Sequence, residues 1–170
     1  MEFRVGDRVV YPSQGVSIVE SISEEKLGGS RMKCYNLRLL TSESLVVVPV
    51  RNSARVGLRP LSERSEVERI MARLQSSSAE RHGDWKDRYR TNLDRIKTGD
   101  LDEIVDVLLC LSEVASRKTL SFRERKMFDH ARQLLVLEVA EVEGRTPEQI
   151  DGEVDAALTR HGEELATGTD

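Results

Sequence analysis

The sequence has few of the residues that build reactive or metal-binding sites. It contains two cysteines, Cys34 and Cys110, with no CxxC spacing, and we expect both to be buried thiols rather than a disulfide. The three histidines show no metal-ligand spacing such as HExxH, and there is no GxGxxG or GxSxG motif and no phosphate-binding loop. We therefore expect no metal, no cofactor and no enzymatic activity.

Long apolar runs are also missing. No stretch approaches the roughly 18 consecutive apolar residues of a membrane helix, and residues 1–4 do not begin a signal segment. The 170 residues are 33% charged, have a formal net charge of −4, and still contain enough valine, isoleucine and leucine for a core. The sequence predicts a folded cytoplasmic protein with no membrane segment and with one domain or two small ones.

Residues 1–60 contain short apolar runs separated by turn-forming residues. This pattern predicts about five strands, four of them at 8–11, 16–22, 32–40 and 45–48, in a compact SH3-like barrel. Gly28 and Gly29 predict a hairpin turn. The run 45–48 is apolar throughout, which predicts that both of its faces are covered, and the adjacent Pro49 predicts an edge strand.

From about residue 62 the apolar period changes from 2 towards 3.6, which predicts helices. Ser62 is the candidate N-cap of the first helix, and segments 100–103, 121–124 and 146–149 have the pattern of capping boxes. Five helices follow the strands, so the predicted fold class is α+β. The expected division is a small β-barrel at 1–60, a compact five-helix domain at 61–160 and an acidic frayed tail at 161–170.

The charge is distributed unevenly along the chain. The net charge is +3 for residues 1–60, −2 for 61–143 and −5 for 144–170. Window 81–97 contains six basic and three acidic residues, and window 117–132 contains six basic and two acidic residues. A solvated face with i, i+4 ion pairs explains one such window. If the second and fourth helices pack together, Arg88, Arg90 and Arg125 would instead form one phosphate-binding patch.

Trp85, the only tryptophan, begins the second predicted helix. Its spacing places it on one face with Tyr89, Leu93 and Ile96, which favours a core position. The other interpretation is an exposed wedge beside basic residues, as in minor-groove proteins that separate base steps. Asp87 counts against the wedge because carboxylates and phosphates repel, and residue patterns leave both interpretations open.

Several motifs in order resemble one known family. The chain opens with Phe3-x-Val-Gly-Asp-x-Val-Val-Tyr-Pro-x-x-Gly15, and the helical half contains Trp85-x-x-Arg-Tyr-Arg90 and Leu120-Ser-x-x-Glu-Arg-Lys-Met127. These motifs are similar to the CarD/CdnL family of bacterial transcription regulators over about residues 1–160. The amino-terminal half also resembles the polymerase-interacting domain of the transcription-repair coupling factor.

The resemblance implies a Tudor/SH3-like domain that binds the β subunit of bacterial RNA polymerase, and a helical domain that contacts promoter DNA without reading its sequence. The tryptophan at the position of Trp85 would wedge into the minor groove at the upstream edge of melted DNA while basic neighbours hold phosphates. The promoter bubble then closes more slowly. The expected DNA-binding residues are Trp85, Lys86, Arg88, Arg90 and Arg125.

The chain departs from this family pattern at three positions. Asp87 stands where relatives can have a basic side chain, and Glu25 and Val47 stand near positions where relatives can have polymerase-facing arginines. The expected polymerase contact is therefore the apolar edge strand, which can add itself to a partner sheet. Its residues are Leu45, Val46, Val47, Val48 and Pro49.

Two functions are compatible with this resemblance and with the three departures from it. The first is a monomeric, nucleoid-associated regulator that binds polymerase and stabilises the open promoter complex. The alternative is a diverged paralogue that acts as a protein–protein interaction module without touching DNA, which Asp87 and the net charge of −4 favour.

Overall fold

The computed structural model describes residues 2–76 and 85–167, and the side chains of Trp85, Lys86 and residues 164–167 lie outside the described part. The chain divides into two compact units, Met1–Leu61 and Ser62–Asp170. The first consists of strands and the second of helices, so the predicted α+β class with segregated halves is confirmed.

Residues 2–61 form one antiparallel sheet whose strand order is β4-β3-β2-β1-β5. The last strand returns to pair with the first, which is the connectivity of a small SH3-like barrel. The strands are β1 (Arg8–Tyr11), β2 (Gly15–Leu27), β3 (Ser30–Leu39), β4 (Leu45–Pro49) and β5 (Arg59–Pro60).

The hairpin between β2 and β3 turns at the two predicted glycines. Gly28 and Gly29 have φ angles of 60° and 82°, and positive φ at both central positions defines the type I′ turn that glycine favours. The paired strands extend to Leu27 and Ser30 beside the turn. Both strands are longer than predicted because the residues nearest the turn are polar and show no apolar alternation.

The core of this unit is a cluster of buried apolar side chains from the strands and the segments beside them. The Tyr35 hydroxyl accepts a hydrogen bond from the Phe3 backbone N–H at 3.0 Å, and the two rings meet edge to face with centroids 5.8 Å apart. Cys34 is a buried free thiol, as predicted. The buried apolar cluster consists of Phe3, Val9, Val19, Tyr35, Leu37, Val48 and Leu58.

The described helices of the second unit pack around one hydrophobic core, to which the third and fourth helices contribute seven buried residues each. Helix α5 continues to Thr167, so residues 161–167 of the expected tail are helical. His161 within this segment is buried. The helices are α1 (Arg64–Ser76), α2 (Trp85–Thr98), α3 (Leu101–Arg117), α4 (Phe122–Glu143) and α5 (Pro147–Thr167).

The three segments predicted as capping boxes each begin a helix with a side-chain cap, and the third shows the reciprocal bonds of a full box. The Asp100 side chain accepts from the Asp102 N–H, and the Ser121 side chain accepts from the Glu124 N–H. Thr146 and Gln149 form a reciprocal capping box at the start of α5.

Ser62 has a different role from the predicted one. Helix α1 begins two residues later, and the Glu63 carbonyl accepts its first backbone bond. Ser62 instead donates through its N–H and its hydroxyl to the buried carboxylate of Glu138, at 3.1 and 2.9 Å. The N-cap prediction was wrong because a serine near a helix start also serves as a donor to a distant buried acceptor.

Candidate nucleic-acid and protein interfaces

Strand β4 is an edge of the sheet, as Pro49 predicts. Leu45 and Val47 are 51% and 43% exposed, whereas Val46 is partly buried and Val48 is buried. The prediction that both faces are covered was therefore wrong. An edge strand can leave one apolar face open, and a uniformly apolar sequence hides the alternation that the burial reveals.

The outer side of β4 also presents backbone groups. The Leu39 N–H donates to the Ser44 carbonyl at 2.9 Å, and the pairing continues in register to Val48. Because hydrogen-bonded pairs alternate along an antiparallel ladder, the peptide groups of Leu45 and Val47 face away from β3. A partner strand would find free donors and acceptors there beside two apolar side chains, which is the arrangement used in β-augmentation.

The contact between α2 and α4 contains a buried ion pair. Arg88 Nη2 donates to Glu124 Oε2 at 3.0 Å, and the two side chains are only 9% and 7% exposed. The Ser121 hydroxyl donates to the other carboxylate oxygen at 3.2 Å. Arg88 is therefore buried and does not belong to an exposed phosphate-binding patch, as its charge had suggested. Its guanidinium instead neutralises a carboxylate inside the helical unit.

One turn further along α2, the buried face remains polar. Asn92 Nδ2 lies 3.5 Å from the Cys110 sulfur of α3. Burial raises the pKa of the Cys110 thiol, which keeps it protonated and fits the prediction of an unreactive cysteine. Within the described part of the chain, Arg88 Nε and Asn92 Oδ1 are buried without hydrogen-bond partners.

The same helix contact contains a second pair of side chains. Arg123 of α4 lies over the ring of Tyr89, with its Cζ atom 4.8 Å from the ring centroid. Arg90 follows Tyr89 and Arg125 follows Glu124, and both arginines are exposed. The condition for a shared patch, that the second and fourth helices pack together, is thus met, although Arg88 is buried in that contact.

The side chains of Trp85 and Lys86 lie outside the described residues, although both residues begin α2. On the predicted Trp85 face, Ile96 is buried, Tyr89 packs against the core and Leu93 is exposed. Asp87 is exposed in the first turn of α2, where the helix dipole favours a carboxylate.

A group of exposed cations surrounds the start of α4, and we call it the cationic surface. Three acidic residues lie near these cations in the sequence. Glu113 and Glu124 are buried, whereas Asp129 is exposed and lies 3.9 Å from Arg125. The exposed side chains here are thus five cations and one carboxylate, and their net charge is positive. The cationic surface consists of Arg117, Lys118, Arg123, Arg125 and Lys126.

One residue of this region was missed as a functional candidate. Phe122 is the first residue of α4 and is 74% exposed. The capping-box pattern identifies 121–124 as a helix start, and Phe122 falls outside the core spacing that continues through Met127 and Ala131. An apolar residue outside the core spacing of a helix was the sequence signal that Phe122 is exposed.

In the two described ranges, 2–76 and 85–167, no cluster of side chains could hold a metal ion. The helices seen in those ranges are also too short or too polar to span a bilayer.

Comparisons with known proteins agree with the two-unit architecture. Residues 3–62 match the CarD-like/TRCF RID domain, and residues 69–155 match the CarD C-terminal domain. The chain is 32% identical over 148 residues to a Bacillus subtilis (strain 168) protein named "Putative transcription factor YdeB", across 87% of this chain and 97% of that protein. The two domain matches together cover most of both units, and the chain therefore belongs to the CarD/CdnL family of bacterial transcription regulators.

Proposed function

We propose that the chain binds the β subunit of RNA polymerase through β4 and stabilises the open promoter complex through α2 and α4. The protein acts as a monomeric regulator rather than an enzyme. It works in the cytoplasm without a cofactor and reaches the nucleoid through polymerase. Trp85 wedges into the upstream edge of the melted DNA while Lys86, Arg90 and Arg125 hold phosphates. Phosphate contacts carry no base information, so promoter sequence is not read directly.

The cationic surface is the observation that carries the DNA-binding part of this proposal. Five cations are exposed around the start of α4. Of the nearby carboxylates, Glu113 and Glu124 are buried, the second against Arg88, and Asp129 is exposed. The net charge of −4 therefore does not describe the surface that would face DNA. A patch of this sign attracts a phosphate backbone and releases its counterions.

The salt dependence of DNA binding tests this part. Arg125 is 69% exposed and lies 3.9 Å from Asp129 one turn away. Removing its charge in Arg125→Gln should make the negative slope of log K against log salt shallower by about 1, the share of one phosphate contact. The measurement is affinity for promoter DNA in the presence of polymerase at several salt concentrations.

Arg64 offers a matched control for this measurement. It is also 69% exposed, and it lies 3.7 Å from Glu68 one turn away on α1. We expect Arg64→Gln to leave the salt slope unchanged. A flat salt response of the wild-type protein, or equal slopes for both variants and wild type, would instead favour the interaction module that does not contact DNA. The exposed carboxylate of Asp87 supports that alternative, because it would repel phosphates.

The backbone of β4 tests the polymerase contact. In Val47→Pro the outward-facing N–H is lost, while the ladder to β3 keeps its bonds because that N–H does not take part in it. Loss of one intermolecular backbone bond, worth about 1 kcal/mol, should weaken polymerase binding about fivefold or more. Pull-down titration of polymerase against the tagged full chain measures this.

Val47→Thr serves as the control because it keeps the N–H and the branched shape. We expect it to bind polymerase nearly as well as the wild type. If proline and threonine weaken binding equally, the contact is made by the valine side chain and strand addition is excluded. If neither variant changes binding, β4 is not the polymerase interface.

A further inference from the structure

Phe122 is the most exposed large hydrophobic residue in the described part of the chain. Its ring stands on the first turn of α4, and the Lys126 Nζ atom lies 4.7 Å from the ring centroid. A cation at this distance is attracted by the negative face of the ring. One face of the phenyl group is thus held by a basic neighbour, while 74% of the side chain faces solvent.

The charge around Phe122 limits what can cover it. The ring is embedded in the cationic surface, and the carboxylate nearest in sequence, Glu124, is buried against Arg88. Exposed aromatic rings combined with cations are the usual composition of single-strand nucleic-acid sites, because bases stack on the rings while phosphates bind the cations.

Two other occupants fit the surroundings less well. Duplex phosphates bind cations alone and have no use for an exposed ring. A protein partner would need a contiguous apolar patch. Among the described side chains of the helical unit, Leu93 is the one other exposed large hydrophobic, and it lies on a different helix. Phe122 is thus an isolated ring among positive charges.

We infer that Phe122 stacks on an unpaired base of the melted promoter, while Arg123 and Lys126 hold the adjoining phosphates. This inference rests on the proposed function for its biological setting, since melted DNA is present only in an open complex. It adds a single-strand site to the duplex contacts proposed above, and it uses a residue outside that set.

Direct binding of the full chain to labelled DNA tests the inference. The probes are a fluorescein-labelled single strand of about 16 nucleotides and the corresponding duplex, at low salt. Phe122→Ala should weaken single-strand binding about fivefold or more, the low end of the effect of one base stack. Duplex binding should be unchanged. Because the ring is exposed, thermal unfolding should also be unchanged.

Two further variants separate ring stacking from general apolarity. Phe122→Tyr keeps a ring and should retain single-strand affinity, whereas Phe122→Leu keeps an apolar side chain and should lose it as Phe122→Ala does. Equal affinities of the Leu and Tyr variants would overturn the inference. So would a loss that is the same for single strand and duplex, or no loss with alanine.

An assay with polymerase keeps this result distinct from the proposed function. On a promoter with a mismatched, premelted bubble, Phe122→Ala should shorten the lifetime of the complex, and Arg125→Gln should do so on duplex promoters as well. If the wild-type chain leaves open-complex lifetime unchanged, the proposed function fails, and the single-strand titration alone decides the inference. If only Phe122→Ala has no effect, the inference fails and the proposed function stands.

Discussion

Replacing Arg88 with methionine is expected to lower the free energy of unfolding by about 3–5 kcal/mol. Methionine fills much of the volume of the arginine stem but leaves the Glu124 carboxylate buried without its cation. The carboxylate would keep only the Ser121 hydroxyl as a side-chain partner among the contacts seen here. A single buried charge without a counter-ion is far more costly than the pair is favourable. Urea unfolding of the full chain measures the change.

A second substitution isolates the cause of this loss. In the double variant Arg88→Met with Glu124→Gln, the buried charge is gone and the amide oxygen can still accept from Ser121. We expect most of the lost stability to return, to within about 1.5 kcal/mol of the wild type, because a neutral hydrogen-bonded group has a modest burial cost. With the single variant Glu124→Gln measured as well, the double-mutant cycle gives the coupling energy of the pair.

Arg132 provides the control for an ion pair in contact with water. Its guanidinium lies 2.7 Å from Asp151 and 3.3 Å from Asp155, but both carboxylates are largely exposed. Arg132→Met should therefore cost about 1 kcal/mol or less. If Arg88→Met costs no more than Arg132→Met, Arg88 is in contact with solvent and is again available as a phosphate ligand.

Local chemistry explains which parts of the fold could be predicted from the sequence. The hairpin at Gly28 and Gly29, the caps at Asp100 and Ser121 and the reciprocal box at Thr146 each depend on residues within four positions of one another. Such signals are contained in a short stretch of sequence, and the structure confirmed them. The change from strands to helices near residue 62 is likewise a local change of period.

The errors concern side chains whose surroundings are set by distant residues. The partner of Arg88 is 36 residues away, and that of Ser62 is 76 residues away. A count of charges in a window cannot distinguish a buried arginine from an exposed one. Val47 was expected to be covered because its neighbours are also apolar, but its exposure depends on the position of β4 at the edge of the sheet. In the basic window 117–132, burial of Glu124 removes one exposed carboxylate, whereas Arg132 is paired with Asp151 and Asp155 of the next helix, which a residue count also cannot show.

The Arg88 pair also has a consequence for the proposed wedge. Trp85 precedes Arg88 by three residues and Tyr89 by four, so all three belong to one face of α2. Arg88 is held by Glu124 and Tyr89 lies beneath Arg123, so the turn that follows Trp85 is fixed against α4. Anchoring of this turn lowers the conformational entropy that α2 would lose on binding DNA.

On this basis Trp85→Ala is expected to shorten the lifetime of the open complex by about tenfold, measured by challenge with a competitor that traps free polymerase. A tenfold change corresponds to about 1.4 kcal/mol, and stacking of one base on an aromatic ring is worth roughly 1–3 kcal/mol. Trp85→Phe should retain part of the effect because it keeps a smaller ring. Polymerase binding measured without DNA should be the same for all three proteins, because that contact is assigned to β4.

The stability of Trp85→Ala decides between the wedge and the core interpretation of the same residue. A tryptophan that inserts into DNA is exposed in the free protein, so its removal should change the free energy of unfolding by less than about 0.5 kcal/mol. A tryptophan packed in the core would cost about 3–5 kcal/mol. A large loss of stability would therefore explain any shortened lifetime by damage to the helical unit, and the wedge would be refuted. A short lifetime at unchanged stability requires the indole to act on DNA, because α2 is then intact and the missing ring is the remaining difference.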